Sequence, residues 1–166
     1  MHSIGERVIY GANGVMEIVD IREELVMDTT RKYYVLSEIN KPTASQVFVP
    51  IDNEKLVGMM RPILTKEEAL LMISRIKDIP EAEWKRDNRT RAEKFRSVIE
   101  TGSRDEMISV IKAVYENGLK RQTEGKKNYL SDESVMKKAE HLIYSELSVV
   151  LGIPESEVID FIMKNS

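Results

Sequence analysis

The segment ERVIYGANGVMEIVDI, residues 6–21, decides the fold of the first part of the chain. Its two halves, residues 6–10 and 15–21, are rich in β-branched residues and partly alternate apolar with polar side chains, which is typical of short strands. Gly-Ala-Asn-Gly, residues 11–14, separates them, and Asn13-Gly14 favours positive φ and a tight turn. The sequence therefore predicts an antiparallel hairpin at the start of the chain.

Three more short strands are predicted after this hairpin. They cover residues 32–39 (KYYVLSEI), residues 45–49, which end at Pro50, and residues 56–60. The acidic link over residues 23–30 is predicted to be a loop. Five short strands with no helical period between them indicate a small, strongly bent antiparallel sheet or barrel over residues 1–64.

The apolar period becomes helical from Thr65 onward. Two capping boxes, residues 65–68 and 103–106, each predict a helix start. Pro80 is predicted to start another helix, which Gly102 stops. Ser131 is predicted to cap a fourth, which Gly152 ends. Five helices are expected, over about residues 65–76, 80–101, 103–122, 131–151 and 154–163. The fold class is therefore predicted to be α+β, with a β-rich domain over residues 1–64 and an all-α domain of about five helices over residues 65–166.

Composition excludes several classes of protein. The chain has 166 residues, of which 42% are hydrophobic and 32% charged, and it contains no Cys, so disulfides and thiolate chemistry are excluded. No apolar run approaches the ~20 residues that span a bilayer. The N-terminus lacks the basic and apolar regions of a signal peptide. We therefore expect a cytoplasmic protein without a membrane partner, a metal or a cofactor.

Residues suited to catalysis are few. The two His residues are His2, near the N-terminus, and His141. His141 and Ser145 are one helical turn apart with no third partner, which favours packing over a catalytic pair. Neither GxGxxG nor a Walker sequence is present. The sequence predicts a protein that is not an enzyme, with a small hydrolase dependent on His141 as an alternative.

The run WKRDNRTRAEKFR, residues 84–96, is the most distinctive local feature of the chain. It holds the single Trp and six Lys/Arg against two acids, although the net charge of the protein is −3. Cations of this kind contact phosphates, and a large aromatic side chain can stack on or insert between bases. A helical Trp is more often part of a core, however, and a basic run is often a solvated face. Helical periodicity places Trp84 on the same side as Phe95, so both interpretations stay open.

The chain resembles the CarD/CdnL family of bacterial transcription regulators over most of its length. In the β-rich half, the matching segments are GERVIYGANGV (5–15), KYYVL (32–36), VFVPIDN (47–53) and LVGMMRPI (56–63). In the helical half they are EWKRDNRTRAEKFRSV (83–98), SVIKAVYE (109–116) and LSDESVMKKAEHLIYSEL (130–147). This resemblance implies a Tudor-like domain that binds the RNA polymerase β subunit, as in transcription-repair coupling factors. It also implies a helical domain that binds promoter DNA at the upstream edge of the bubble.

The resemblance also implies the site residues. In the family a Trp inserts into the minor groove and is flanked by basic residues on the DNA backbone. The DNA-binding residues are accordingly expected to be Trp84, Lys85, Arg86, Arg89, Arg91 and Lys138. The polymerase-binding residues are expected to be Tyr33, Tyr34, Val47, Phe48, Val49 and Pro50, along an exposed strand edge. Asp87 stands where some relatives carry a cation, and Phe48 and Glu24 stand where some carry Arg.

Together these features predict an accessory factor that binds the RNA polymerase β subunit and, weakly by itself, promoter DNA. Its predicted effect is to stabilise the open complex through a minor-groove Trp wedge. A monomer is expected, and a dimer through the strand edge stays open as an alternative. The alternative function is a protein-interaction adaptor, in which the β-rich domain binds a partner and the helices serve as a scaffold.

Overall fold

The computed structural model describes residues 1–39, 41, 45–101 and 103–166, and it divides into two compact units, Met1–Ile63 and Leu64–Ser166. Within these residues the first unit contains a five-stranded antiparallel sheet and one short α-helix. The described part of the second unit contains five α-helices. The predicted α+β class, with a β-rich first part and a helical second part, is confirmed.

The sheet of the first unit consists of neighbouring antiparallel strands. Its strands are β1 (Arg7–Tyr10), β2 (Val15–Val26), β3 (Thr29–Glu38), β4 (Val47–Pro50) and β5 (Met60–Pro62). They lie in the order β4-β3-β2-β1-β5, so β4 and β5 are the edge strands. The core on one face is formed by buried side chains that include Val8, Met16, Ile18, Tyr34, Leu36, Val49 and Met60. The pairing of β2 with β3 shifts register between Ile18 and Asp20, and a bulge of this kind bends a strand.

The turn between β1 and β2 confirms the predicted hairpin but differs in its geometry. It is a 3-10 turn, Gly11–Asn13, and its positive φ angles fall on Gly11 (+51°) and Gly14 (+79°). The Tyr10 N–H donates a hydrogen bond to the Gly14 carbonyl at 3.1 Å. Glycine is required at both ends of this turn because L side chains rarely adopt positive φ.

Two strand predictions for the first unit are wrong. Residues 23–30 are not a loop, because β2 and β3 continue as a long hairpin that turns at Met27-Asp28, with φ of +47° and +62°. Charge pairing across the two strands supports this extension, since Glu23 contacts Lys32 at 3.2 Å. The predicted strand over residues 56–60 is mostly helix α1 (Glu54–Gly58), because the Asn53 side chain accepts a hydrogen bond from the Leu56 N–H and caps it.

The second unit is built around one central helix. Its helices are α2 (Lys66–Arg75), α3 (Asn88–Thr101), α4 (Arg104–Thr123), α5 (Leu130–Leu151) and α6 (Glu155–Asn165). Helix α5 packs against each of the other four. Buried apolar side chains, among them Ala69, Ile73, Ile99, Ile108, Ile143 and Leu147, form the core between them.

Three predicted helix signals act at their predicted positions, and one does not. The capping boxes at Thr65 and Ser103 are both formed. Gly152 ends α5 in the left-handed conformation, with φ +68°. The prediction that Ser131 caps α5 is wrong, because the helix begins one residue earlier, at Leu130, and no side chain caps it.

A buried carboxylate fixes the start of α4 against α5. Glu146 is almost fully buried, and its two oxygens accept hydrogen bonds from the Arg104 guanidinium at 2.6 Å each. The same carboxylate accepts the Leu64 N–H at 3.1 Å. Glu146 thereby joins three parts of the helical unit through charge-assisted hydrogen bonds.

Candidate nucleic-acid interface

Trp84 lies in an irregular segment before α3 and not in the first turn of a helix. The predicted helix start at Pro80 is wrong, because α3 begins at Asn88. Asp87 explains the difference: its carboxylate accepts the Thr90 N–H at 2.8 Å and the Thr90 hydroxyl at 2.6 Å, which is the geometry of an N-cap. Gly102, predicted to stop this helix, lies outside the described residues.

The segment that leads to Trp84 is held along α4 by hydrogen bonds that involve the main chain of that segment. The Lys112 ammonium group donates to the carbonyl oxygens of Ile76 and Ile79, the second at 2.6 Å. The Ala82 N–H donates to the Ser109 carbonyl at 3.0 Å. These bonds bring the chain across the surface of α4 immediately before Trp84.

The indole of Trp84 is partly buried, with one side packed and another facing a surface depression. Its ring meets Phe95 edge-on, with 6.1 Å between centroids and an interplanar angle of 66°. Phe95 belongs to a small core with Val110, Ala113 and Val114. Trp84 also lines an open depression of about 140 Å³ that includes Lys120. The ring is therefore anchored to the folded body without being sealed inside it.

Arg91 was predicted to contact DNA, and the structure corrects this. Its side chain is fully buried. The guanidinium Nε and Nη2 donate to the two carboxylate oxygens of Asp132 on α5 at 2.9 and 2.8 Å. A buried, paired guanidinium cannot reach a phosphate, so Arg91 is a structural neighbour of Trp84 and not a DNA contact.

The other predicted DNA-binding cations are on the surface. Arg86, Arg89 and Lys138 are exposed, and Lys85 is partly buried. Within the described residues no ion pair involves the side chain of Arg86 or Lys138. Within the described residues, no hydrogen bond or ion pair joins the Lys138 side chain to the Trp84 region, so its place in one interface with Trp84 stays a prediction.

Acidic side chains partly neutralise this basic surface. Glu83 contacts the Lys85 ammonium at 2.9 Å and the Lys94 ammonium at 3.3 Å. The hydrogen bond from Lys85, together with a second one from Lys94, holds the pKa of the Glu83 carboxyl below its usual value. Arg89 is paired in the same way with Glu93 at 3.4 Å. Exposed pairs of this kind are weak, so a phosphate can replace the carboxylate.

Lys120 is a candidate that sequence reasoning did not assign to the site. It is exposed on α4 and lines the same depression as Trp84. The only signal in the sequence was that residues 112–127 are basic. Spacing along the chain could not show that this run meets Trp84, since the two are joined only by the packing of the segment before α3 on α4.

The predicted polymerase-binding residues of the first unit separate into exposed and buried groups. Phe48 on β4 is 42% exposed, and its ring meets the partly buried Tyr33 edge-on at 6.2 Å. Val47 and Pro50 are partly buried. Tyr34 and Val49 are in the core, so the prediction that their side chains contact a partner is corrected.

The main chain of Phe48 faces away from the rest of the sheet. The Ile51 N–H donates to the Lys32 carbonyl at 3.0 Å, so Ile51 and Lys32 are a hydrogen-bonded pair. Such pairs alternate along an antiparallel ladder, and the Val35–Phe48 pair is consequently a non-bonded one. The N–H and carbonyl of Phe48 therefore point to the outer edge of β4.

Residues 2–64 match the family model of the CarD-like/TRCF RID domain. This chain carries a CarD-like RID domain. The match confirms the resemblance that the β-rich segments predicted, and the RID domain coincides with the first unit of the structure. A search of curated proteins found no match to the chain.

Outside the RID domain, the side chains weighed for catalysis have other partners. The His141 ring contacts Glu155 at 3.2 Å, and the Ser145 hydroxyl donates to the Leu142 carbonyl at 3.3 Å. Among the described residues, no group of three or more His, Asp or Glu is placed to hold a metal ion. None of the described helices has the length and apolar character needed to cross a membrane.

Proposed function

We propose that this protein is a non-enzymatic transcription factor that binds the RNA polymerase β subunit and stabilises the open promoter complex. The RID domain over residues 2–64 is the observation that carries the proposal, because it indicates a family of transcription factors that interact with RNA polymerase. The finer parts of the proposal, the β subunit and the promoter, are what the family resemblance implies, and the surfaces of the two units support them.

The edge strand β4 is the proposed polymerase contact. Its outward-facing main chain at Phe48 can pair with a strand of the partner, as in strand addition, and the Tyr33–Phe48 ring pair lies beside it. Docking through the main chain depends little on side-chain identity. It therefore accommodates Phe48 at a position where some relatives carry Arg.

The surface around Trp84 is the proposed DNA contact. The partly buried indole is followed in the chain by the exposed cations Arg86 and Arg89. A side-chain wedge in the minor groove recognises a distorted or opening base step and not a specific sequence, because the minor groove has a degenerate code. A protein of net charge −3 with a few such cations binds DNA weakly alone.

Tethering to polymerase supplies what weak DNA binding lacks. A polymerase-bound RID domain raises the effective concentration of Trp84 at one place on the promoter. If the wedge binds the melted junction better than the closed duplex, the equilibrium shifts toward the open complex by that difference in affinity, about 1–3 kcal/mol on the usual scale of coupling.

Two measurements test the proposal. Open-complex lifetime at a purified promoter is expected to increase when the protein is added, and the isolated β-subunit lobe is expected to retain the full chain in a pull-down. Failure of the lobe to bind the protein contradicts the polymerase contact. An unchanged lifetime despite binding to the lobe contradicts the role in promoter opening.

The adaptor function is the second candidate, and the packing of Trp84 on Phe95 favours it. In an adaptor the indole would serve the helical core alone. Trp fluorescence separates the two candidates because Trp84 is the single Trp of the chain. Quenching by forked DNA supports the wedge, and an emission that forked DNA leaves unchanged supports the adaptor.

A further inference from the structure

The guanidinium of Arg91 is fully buried, and it donates hydrogen bonds to main-chain and side-chain oxygens around it. Besides the two bonds to Asp132, its Nη2 donates to the Asn88 side-chain oxygen at 2.8 Å. Its Nη1 donates to the main-chain carbonyl of Lys85 at 2.8 Å. Arg91 therefore joins α5, the first turn of α3 and the main chain next to Trp84.

The same guanidinium is also part of a stack of rings. It lies 4.2 Å from the ring centroid of Trp84 and 5.1 Å from that of Tyr129. The Arg121 guanidinium lies 4.0 Å from the same Tyr129 ring. Cation–π contacts of this kind fix the plane of a ring as well as its position.

Stability is a weak explanation for this arrangement. Two charges that are taken out of water lose hydration, and well-packed apolar side chains of similar volume usually give an equally stable or a more stable protein. What an apolar pair cannot supply is the donation to the Lys85 carbonyl together with the charge beside the indole. These two contacts act on the direction of the chain and on the plane of the ring at Trp84.

We propose that the buried pair Arg91–Asp132 positions Trp84 for insertion at the edge of melted DNA. Arg91 and Asp132 are positioning residues in this proposal: neither touches DNA, and Asp132 acts by holding the guanidinium. The inference rests on the proposed function, since it concerns how the wedge is held. With the pair in place, the indole is presented in one orientation, so little ordering is needed when it meets the junction.

The double variant Arg91→Met/Asp132→Leu in the full chain tests the proposal. It removes the buried charges together and keeps apolar volume in their place. We expect a folded protein whose melting temperature is at least that of the native chain. The ratio of its affinities for forked and fully paired DNA of the same sequence is expected to fall about tenfold. An unchanged ratio in the folded variant overturns the proposal.

A matched control changes the partly buried ion pair Arg104–Glu146 of the helical unit. Arg104→Met/Glu146→Leu makes the same type of replacement without touching Trp84. Its ratio of forked to paired affinity is expected to stay at the native value. An equal fall in both double variants would mean that general loosening of the helices is responsible, which also overturns the proposal.

If the first double variant does not fold, Asn88→Ala carries the test. Asn88 is exposed, and its side chain accepts one guanidinium hydrogen bond. A lowered ratio at an unchanged melting temperature supports positioning, and an unchanged ratio overturns it.

Trp84→Ala separates this inference from the proposed function. If Trp84→Ala leaves the ratio of forked to paired affinity at its native value, the proposed insertion of Trp84 is contradicted. If Trp84→Ala lowers the ratio but the Arg91/Asp132 and Asn88 variants leave it unchanged, only the positioning is contradicted.

Discussion

The two candidate contact surfaces of this protein are built in different ways. At the edge of the RID domain, the main chain of Phe48 faces outward, and the buried side chains of Tyr34 and Val49 only support the sheet behind it. At Trp84, a single side chain is held in place by a buried charge pair and by an aromatic neighbour. The first surface is defined by backbone geometry, and the second by one side chain and its supports.

This difference predicts unequal tolerance to substitution. A backbone edge keeps its hydrogen-bonding groups when side chains change, so the RID domain can vary in sequence and still dock. A wedge loses its function when the wedge or its orientation is lost. Substitutions that affect only the main-chain edge at Phe48, or only Trp84 and its supports, therefore test this difference.

The largest effect on stability is expected from Asp132→Ala. The change leaves the Arg91 guanidinium buried without its counter-charge, which costs about 3–5 kcal/mol for a pair of this kind. Urea unfolding of the helical unit measures the loss. Asp160→Ala is the matched control, because Asp160 is exposed on α6; equal losses in the two variants would contradict the role assigned to the buried pair.

The next effect is expected at the strand edge, in a comparison of Phe48→Pro with Phe48→Ala. Proline removes the outward N–H as well as the ring, whereas alanine removes the ring and keeps the N–H. We expect Phe48→Pro to weaken binding to the β-subunit lobe clearly more than Phe48→Ala does, with circular dichroism as the check on folding. Equal losses would show that the docking depends on the aromatic ring and not on the main chain.

A smaller effect, a gain, is expected from Glu83→Gln. The change releases Lys85 and Lys94 from their carboxylate partner, so both ammonium groups can contact phosphates. Affinity for forked DNA is expected to rise by less than about fivefold, since exposed pairs are weak. The gain should shrink as salt is added; a gain that does not depend on salt would contradict an electrostatic cause.

The smallest expected effect is a pH dependence of protein stability that arises from Asp87, the N-cap of α3. Hydrogen bonds from the Thr90 hydroxyl and then the Thr90 N–H hold the pKa of Asp87 below its ordinary value of 3.8. A depressed pKa in the folded state stabilises the fold above the ordinary value, and this contribution is lost as the pH falls through the folded value. We therefore expect a contribution that is constant near neutral pH and lost below about pH 4.

Asp87→Asn checks this assignment, because an amide caps a helix without titrating. The variant is expected to lose less stability than the native chain between about pH 4 and pH 2, as measured by thermal unfolding. Identical pH profiles for the two proteins would show that the cap does not contribute.

The parts of the fold that local signals specify could be predicted from the sequence. Capping boxes at Thr65 and Ser103 and the glycine at 152 act through neighbouring main-chain groups, and all three work as expected. Local signals failed where a second signal competed with them. Proline often occupies the first position of a helix, which led to the prediction at Pro80. The helix begins instead after Asp87, whose carboxylate accepts the Thr90 N–H as an N-cap. Acidic residues 23–30 suggested a loop, but the β2–β3 ladder continues through most of them to Val26 and Thr29, with Lys32 directly opposite Glu23.

The candidate site was harder to predict because its contacts join distant parts of the chain. Arg91 lies four residues before Phe95, so helical periodicity places it on the apolar side of α3. Its partner Asp132 is 41 positions away, however, and the sequence does not show which carboxylate pairs with it. The resemblance located Trp84 and its neighbours, but it could not separate a DNA contact from its support. Lys120 was missed for the same reason, since only the packing on α4 brings it to the depression beside Trp84.

Open-complex lifetime with the native protein and with Trp84→Ala tests the central claim most directly. The variant is expected to bind the β-subunit lobe as the native protein does, and to leave the open complex with the lifetime it has when no factor is present. A lifetime as long as that given by the native protein, at equal lobe binding, would show that the indole serves the helical core and that DNA is engaged elsewhere or not at all.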